Sequence, residues 1–264
     1  MNRAKVKSKW NDLIFVWQFA LDDFKGRFAG SLLGSSWAFI QPIVTILIYY
    51  FIFQFGFRST PVEDVPYVLW LVAGLLPWFY ISETIIMTAS CLAEYSYLVK
   101  KVVFNVQILP LSKVCSGLFI QGVLFIFIIG LFAVFGQFPT IYYLQLPLYL
   151  IYMVIFLVGL GYISSSLYAF FKDTAQVIAI VTQVFFWMTP IVWDISIMPE
   201  ATAKILAFNP VYYVVMGYRS AFIYKEFYFP GIGLTCWYWG IALVTLIGGR
   251  LFFDRCKKHF ADVM

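Results

Sequence analysis

Glu83 stands alone inside an apolar run that extends from about residue 66 to 92. A carboxylate buried in lipid is costly unless it is paired or wet. Glu83 therefore either faces a pore or a seam between two chains, or is protonated or locally satisfied between helices. The other notable cluster is Asp22, Asp23, Lys25 and Arg27, just before the first apolar run. Two adjacent aspartates can hold a metal in a membrane-embedded transferase. Here Lys25 and Arg27 neutralise them, and no further acid joins the pair. The outer acids Glu63, Asp64, Asp194, Glu200 and Glu226 are scattered and form no site. Cys91, Cys115, Cys236 and Cys256 lie far apart without metal-ligand spacing, and the single His259 is in the tail. Zinc chemistry and histidine acid–base catalysis have almost no material. A G-x-x-x-x-G-K-[ST] phosphate loop is missing from the sequence. The expectation is a chain with no catalytic residues and no metal.

The elements that carry these residues follow from composition. Of 264 residues, 62% are hydrophobic and only 12% are charged, against about 25% charged in a typical soluble domain. Such a chain cannot cover a water-facing surface, and a bilayer is the solvent that fits. The basic start "MNRAKVKSK" and the apolar residues after it resemble a signal peptide. Asp12, Asp22 and Asp23 interrupt the run, however, and the segment reads as retained. Crossing a bilayer takes roughly 20 residues. Six runs qualify, at about 34–57, 66–92, 111–136, 143–171, 174–193 and 233–253. Fourteen of the 18 Lys and Arg then fall on the side of the N-terminus, leaving Arg58, Lys204, Arg219 and Lys225 opposite. The positive-inside rule puts both ends in the cytoplasm. The net charge of +5 is mostly this bias, not a nucleic-acid footprint.

Outside the spans, residues 10–30 read as an interface helix. Trp10, Leu13, Ile14, Trp17, Ala20, Leu21, Phe24 and Phe28 recur on one face, with Asn11, Gln18, Asp22 and Lys25 opposite. Gly26, Gly30 and Gly34 form a four-residue stripe that permits close helix approach and eases a sharp change of direction, or they give only flexibility to a simple surface anchor. Residues 94–112 form the longest inner connection, with "YSYLVKKVVFNVQIL" as a short helix on that face. "KDT", Lys172 to Thr174, is a tight inner turn. The semi-apolar segment 190–231, broken by Pro190, Pro199, Pro210 and Pro230, reads as two short helices. They either dip back into the outer leaflet or form an ordinary loop. Aromatics make up 21% of the chain. Trp237, Trp239 and Tyr142 suit an interfacial belt. Tyr49, Tyr50, Phe53, Phe185, Phe186 and Trp187 lie deeper and either pack the core or line a channel.

Several blocks, taken in order, resemble one family. They are "DDFKGRFAGSLLGSSWAFIQPI", "AGLLPWFYIS", "LVKKVVFNVQILPL", "FFKDTAQVI", "MTPIVWDISIMP", "FNPVYYVVMGYRSAF" and the tail "FADVM". They are similar to the membrane subunits of ABC-2-type exporters, in the branch that exports cell-surface polysaccharide and teichoic acid. Asp23, Lys25, Arg27, Leu33, Gly34, Trp37 and Pro42 match its opening pattern. The family often has Pro and Arg near Asn105, and Arg where Lys172 stands.

The resemblance implies a single all-α membrane domain over 1–264 in the bacterial cytoplasmic membrane. It implies six spans, the interface helix, and re-entrant outer helices between the fifth and sixth spans. Two copies would form the pore, and a cytosolic ABC ATPase dimer would supply ATP and Mg, with no cofactor on this chain. The cargo would be a lipid-linked glycan or polyol-phosphate polymer such as O-antigen, lipopolysaccharide precursor, capsule or teichoic acid. ATPase coupling is expected at Asp22, Asp23, Lys25, Arg27, Lys100 and Lys101. The channel or gate is expected at Phe28, Tyr49, Tyr50, Phe53, Trp78, Glu83, Phe185, Phe186 and Trp187. An exporter of drugs or lipids, or a membrane-embedded polyprenyl-sugar transferase, are the alternatives.

Overall fold

A computed structural model describes residues 2–56, 65–101 and 104–263, with the side chains of 2–13, 261 and 262 left aside. Arg58, Glu63, Asp64 and the side chains of Trp10 and Leu13 therefore lie outside what is described. The described residues are helical, without a strand. In chain order the helices are α1 (Asn2–Arg27), α2 (Trp37–Phe51), α3 (Tyr67–Glu94), α4 (Ser96–Val99), α5 (Ile108–Val134) and α6 (Leu146–Phe170). They continue with α7 (Thr174–Met188), α8 (Glu200–Ala207), α9 (Pro210–Arg219), α10 (Ile232–Cys256) and α11 (Phe260–Val263).

Among the described residues, five helical segments are long and apolar enough to cross a membrane: Gly34–Gly56, Tyr67–Glu94, Ile108–Val134, Ile141–Phe170 and Ile232–His259. They coincide with five of the six expected runs. The run at 174–193 becomes the 15-residue α7, about 22 Å long at 1.5 Å per residue. It stops at Met188 because Pro190 bars the residue before it from helical geometry, and Thr189 is extended (φ −94°, ψ 131°).

α3 is the axis of the bundle and is the most buried of the five long segments. It packs against α2, α5, α6, α7 and α9. Lipid offers no water to satisfy polar groups, and several buried Ser and Thr hydroxyls of α3 and α6 bond their own helices. Thr88 donates to the Thr84 carbonyl, Ser165 to that of Gly161 and Ser166 to that of Tyr162. α6 and α10 touch backbone to backbone. A Cβ at Gly159 would lie 2.4 Å from the Thr245 carbonyl carbon, and one at Gly249 would lie 2.3 Å from the Gly159 oxygen.

One end of the bundle is basic and gathers α4, the α6–α7 turn and the end of α10. There Gln107 bonds Asp254, which also pairs with Arg250 and Lys257. The far end holds α8 and α9. Asn209 caps α9 by accepting from the Val211 amide, and Pro210 opens the helix. Tyr213 of α9 stacks on Tyr238 of α10 (centroids 4.6 Å apart) and meets Tyr149 and Tyr152 of α6 edge-on. Much of the aromatic content is thus core at this end.

The expected interface helix starts earlier and ends sooner than 10–30. Its packed side coincides with the expected stripe in part, at Ala20 and Phe24. Val16, Ala20 and Asp23 are buried, whereas Ile14 and Trp17 are about half exposed. α1 rests its inward face on α5, as in the contact of Trp17 with Phe119 (4.8 Å). Gly30 and Gly34 have positive φ (81° and 53°), and a Cβ on either would meet nothing within 4 Å of the described chain. They turn the chain.

Candidate substrate groove and coupling face

The turn at Gly30 and Gly34 folds α2 back beside α3 and leaves Arg27, the last residue of α1, facing α3. Its guanidinium reaches Glu83 at 2.5 Å and Met87 Sδ at 2.9 Å. It also lies 5.3 Å from the ring centre of Phe28. Glu83 thus has a basic partner, which its isolation in the sequence concealed. Both side chains remain about a third exposed (32% and 28%), so the pair is not sealed within the bundle. It lines a cavity of about 320 Å³ with Phe28, Gln41, Pro42, Thr45, Phe79 and Ser82.

A second cavity of about 400 Å³ lies farther along the bundle and shares Thr45, Phe79, Ser82 and Ile86 with the first. It adds Tyr49 of α2, Trp78 of α3, and Thr182, Gln183, Phe186 and Trp187 of α7. The two make one groove between α2, α3 and α7. Phe186 is its buried hub. It stacks on Tyr49 (5.6 Å, 20°), tilts against Trp78 (5.5 Å) and meets Trp187 edge-on (5.3 Å). Ring faces beside Thr, Ser and Gln side chains can hold a molecule that has both apolar C–H faces and hydroxyls.

Six of the nine expected channel residues converge on this groove: Phe28, Glu83, Tyr49, Trp78, Phe186 and Trp187. Three do not, for reasons of helix geometry. Tyr50 turns its ring toward Phe55 (6.3 Å), and Phe53 lies on Tyr67 (5.7 Å). Phe185 is one residue from Phe186 and so faces another side of α7. It lines a separate apolar cavity of about 300 Å³ between α3, α6 and α7. The groove also contains residues that sequence reasoning missed: Gln41, Thr45, Ser82, Thr182 and Gln183. Their signal is the four-residue spacing of Gln41, Thr45 and Tyr49, and of Thr182 and Phe186.

The charged set expected on the coupling face divides. Asp22, Lys25, Lys100 and Lys101 are exposed, the two lysines directly following the single turn of α4. Among the described residues, the expected short helix comprises that turn and the start of α5 at Ile108. Arg27 is turned into the groove. Asp23 is buried at 6% exposure and lies 2.5 Å from Lys113, which also reaches Glu94 at 2.8 Å. Asp22 and Asp23 therefore face different environments and cannot act as a paired metal site. Burial and the hydrogen bond that Tyr95 donates to Asp23 (2.6 Å) push the Tyr95 hydroxyl well above its ordinary range.

At the far end, Arg219 was simply one of four opposite-side charges in the sequence. In the structure it is 2% exposed and lies 3.4 Å from the ring centre of Trp70. It donates to the carbonyls of Pro190 and Ile191, both at 2.6 Å. It thus ties α9 to the elbow that follows α7. Gly74 leaves it room, since a Cβ there would sit 2.8 Å from Nη2.

Comparison with known proteins adds the following. A family model described as ABC-2 type transporter matches residues 16–223. An O-antigen export system permease protein RfbA of Klebsiella pneumoniae is 29% identical over 98% of this chain and 99% of its own length. An RfbA of Myxococcus xanthus is 26% identical over 91% of each chain. The polysialic acid transport protein KpsM of Escherichia coli is 23% identical over 86% of each.

Proposed function

This chain belongs to the ABC-2 type transporter family, and from that membership we propose that it is the transmembrane subunit of an ATP-driven exporter of polysaccharide. Relatives named for O-antigen export and polysialic acid transport, each matched over nearly its whole length, support that cargo class. The observation that carries the reading is the continuous groove from Arg27 and Glu83 to Trp187. Aromatic faces and hydroxyl or amide groups alternate along it, as a passing glycan requires.

In this reading α7 with its elbow is the fifth of six crossings, both termini are cytoplasmic, and the membrane is the bacterial cytoplasmic one. The excess of Lys and Arg at the basic end supports that orientation. The segment 190–231 dips into the outer leaflet, a view supported by the burial of α9 against α3 and α6. A second copy faces α2 and α7, whose outer faces carry exposed Leu47, Ile48, Phe51, Val184 and Trp187. ATP and Mg sit on a separate cytosolic ATPase pair, which docks on the exposed Asp22, Lys25, Lys100 and Lys101. The cargo is a lipid-linked polymer whose lipid stays in the bilayer while the glycan traverses the groove.

Deleting the gene and asking which surface polymer accumulates inside the cell tests the reading. The expected result is one polysaccharide retained in the cytoplasm and restored by the intact chain. Normal display of every surface polymer in the deletion strain overturns it.

A further inference from the structure

Residues 95–101, which carry Lys100 and Lys101, and Phe104 are gripped by α1 at two points. At the first, Phe19 lies 5.1 Å from the Tyr95 ring. One helical turn on, Asp23 accepts the Tyr95 hydroxyl. At the second, Phe15 and Phe19 meet Phe104 at 6.5 and 6.4 Å. Lys113 of α5 closes the arrangement. Its ammonium contacts Asp23 of α1 and Glu94 of α3 and lies 5.1 Å from the Tyr95 ring centre. Lys113 and Asp23 are almost wholly buried, at 5% and 2% side-chain exposure. Separating such a pair leaves uncompensated charge out of water, so motion that keeps it intact is strongly favoured.

We infer that Lys113 is a positioning residue that clamps α1 and the described residues 95–101 into one rigid transmission body. A displacement at Lys100 and Lys101 is then not absorbed locally. It swings α1 as a whole. Arg27 lies one turn beyond Asp23, about 6 Å along the helix, so the same swing acts on the Arg27–Glu83 pair at the mouth of the groove. This use of the clamp rests on the exporter reading above, whereas the rigidity itself does not.

The test has two arms. In the first, spin labels are placed at Gln18→Cys and Ser96→Cys in a chain whose four native cysteines are replaced. Distances are measured for the full chain with its ATPase, with and without ATP, and for the chain alone. One narrow distance distribution common to all states is expected, and a broad one in Lys113→Met. A separation that changes on ATP binding in the parent, or a Lys113→Met distribution as narrow as the parent's, overturns the clamp. In the second arm, export per ATP hydrolysed is compared in vesicles. It is expected to fall by about two- to thirtyfold in Lys113→Met and less in Tyr95→Phe. Lys113→Arg and the swap Asp23→Lys with Lys113→Asp are expected to recover it. An unchanged ratio in Lys113→Met overturns the transmission role. Should Lys113→Met fail to insert, Tyr95→Phe, which keeps the ring and removes only the hydroxyl, carries both arms. If no ATPase associates with the chain, the exporter reading fails, while the distances in the chain alone still decide the clamp.

Discussion

Arg27, at the end of the first helix, and Glu83, 56 positions later inside α3, pair at 2.5 Å across the mouth of the groove. The pair is about a third exposed at the cavity, and solvent-exposed pairs contribute only about 0–1 kcal/mol to stability. Its expected role is therefore in gating or reading cargo. Glu83→Gln and Arg27→Gln should insert and melt nearly as the parent does, yet export severalfold more slowly. The exchange Arg27→Glu with Glu83→Arg should recover part of that loss. Thermal unfolding in detergent beside an export assay checks both halves. Parent-level export by Glu83→Gln removes the pair from the mechanism.

Phe186 and Trp187 are neighbours with opposite exposure, 7% and 53%. Phe186→Ala removes the hub under Tyr49 and Trp78 and should destabilise by about 3–5 kcal/mol. Trp187→Ala removes a ring from the wall with little packing loss, so export should fall while the melting temperature holds. Equal melting losses in both variants would contradict this division.

The α6–α10 contact leaves no room for a methyl group, because the obstructing atoms are backbone. Gly159→Ala and Gly249→Ala should each cost about 1–3 kcal/mol or force the helices apart. Gly248→Ala is the matched control, since nothing lies within 4 Å of a Cβ there. Fluorescence-detected size exclusion after graded heating distinguishes them. Identical profiles for all three would refute the close approach.

Arg219 holds the elbow after α7 through two carbonyl bonds and the face of Trp70. Lysine has neither the fork nor the flat face that this site uses. Arg219→Lys should therefore destabilise the far end, and Gly74→Val should do the same by displacing the guanidinium. Hydrogen exchange at 191–197 should accelerate in both variants. Protection equal to the parent in Arg219→Lys would show that the elbow stands without it.

The groove residues were only partly legible along the chain. The lone acid at Glu83 and the deep aromatics Tyr49, Phe186 and Trp187 stood out because such residues are costly or bulky in an apolar run. Tyr50, Phe53 and Phe185 stood out equally and sit elsewhere, because neighbouring positions on a helix point about 100° apart. Thr45, Ser82, Thr182 and Gln183 are ordinary residues that matter only because three helices bring them together.

Solvent was decided by composition alone. With 12% charged residues the chain must bury itself in lipid, and runs of fixed length and scattered lysines then dictate spans and a basic end. Partnership was decided only by tertiary packing. Asp22 and Asp23 are adjacent in sequence, yet one is exposed and the other is locked to Lys113, 90 positions away. Arg27 belongs to the same charged cluster and serves Glu83. Local sequence sets which way each side chain leaves its helix, but the charge it meets depends on which helix lies alongside, a choice made by the whole bundle.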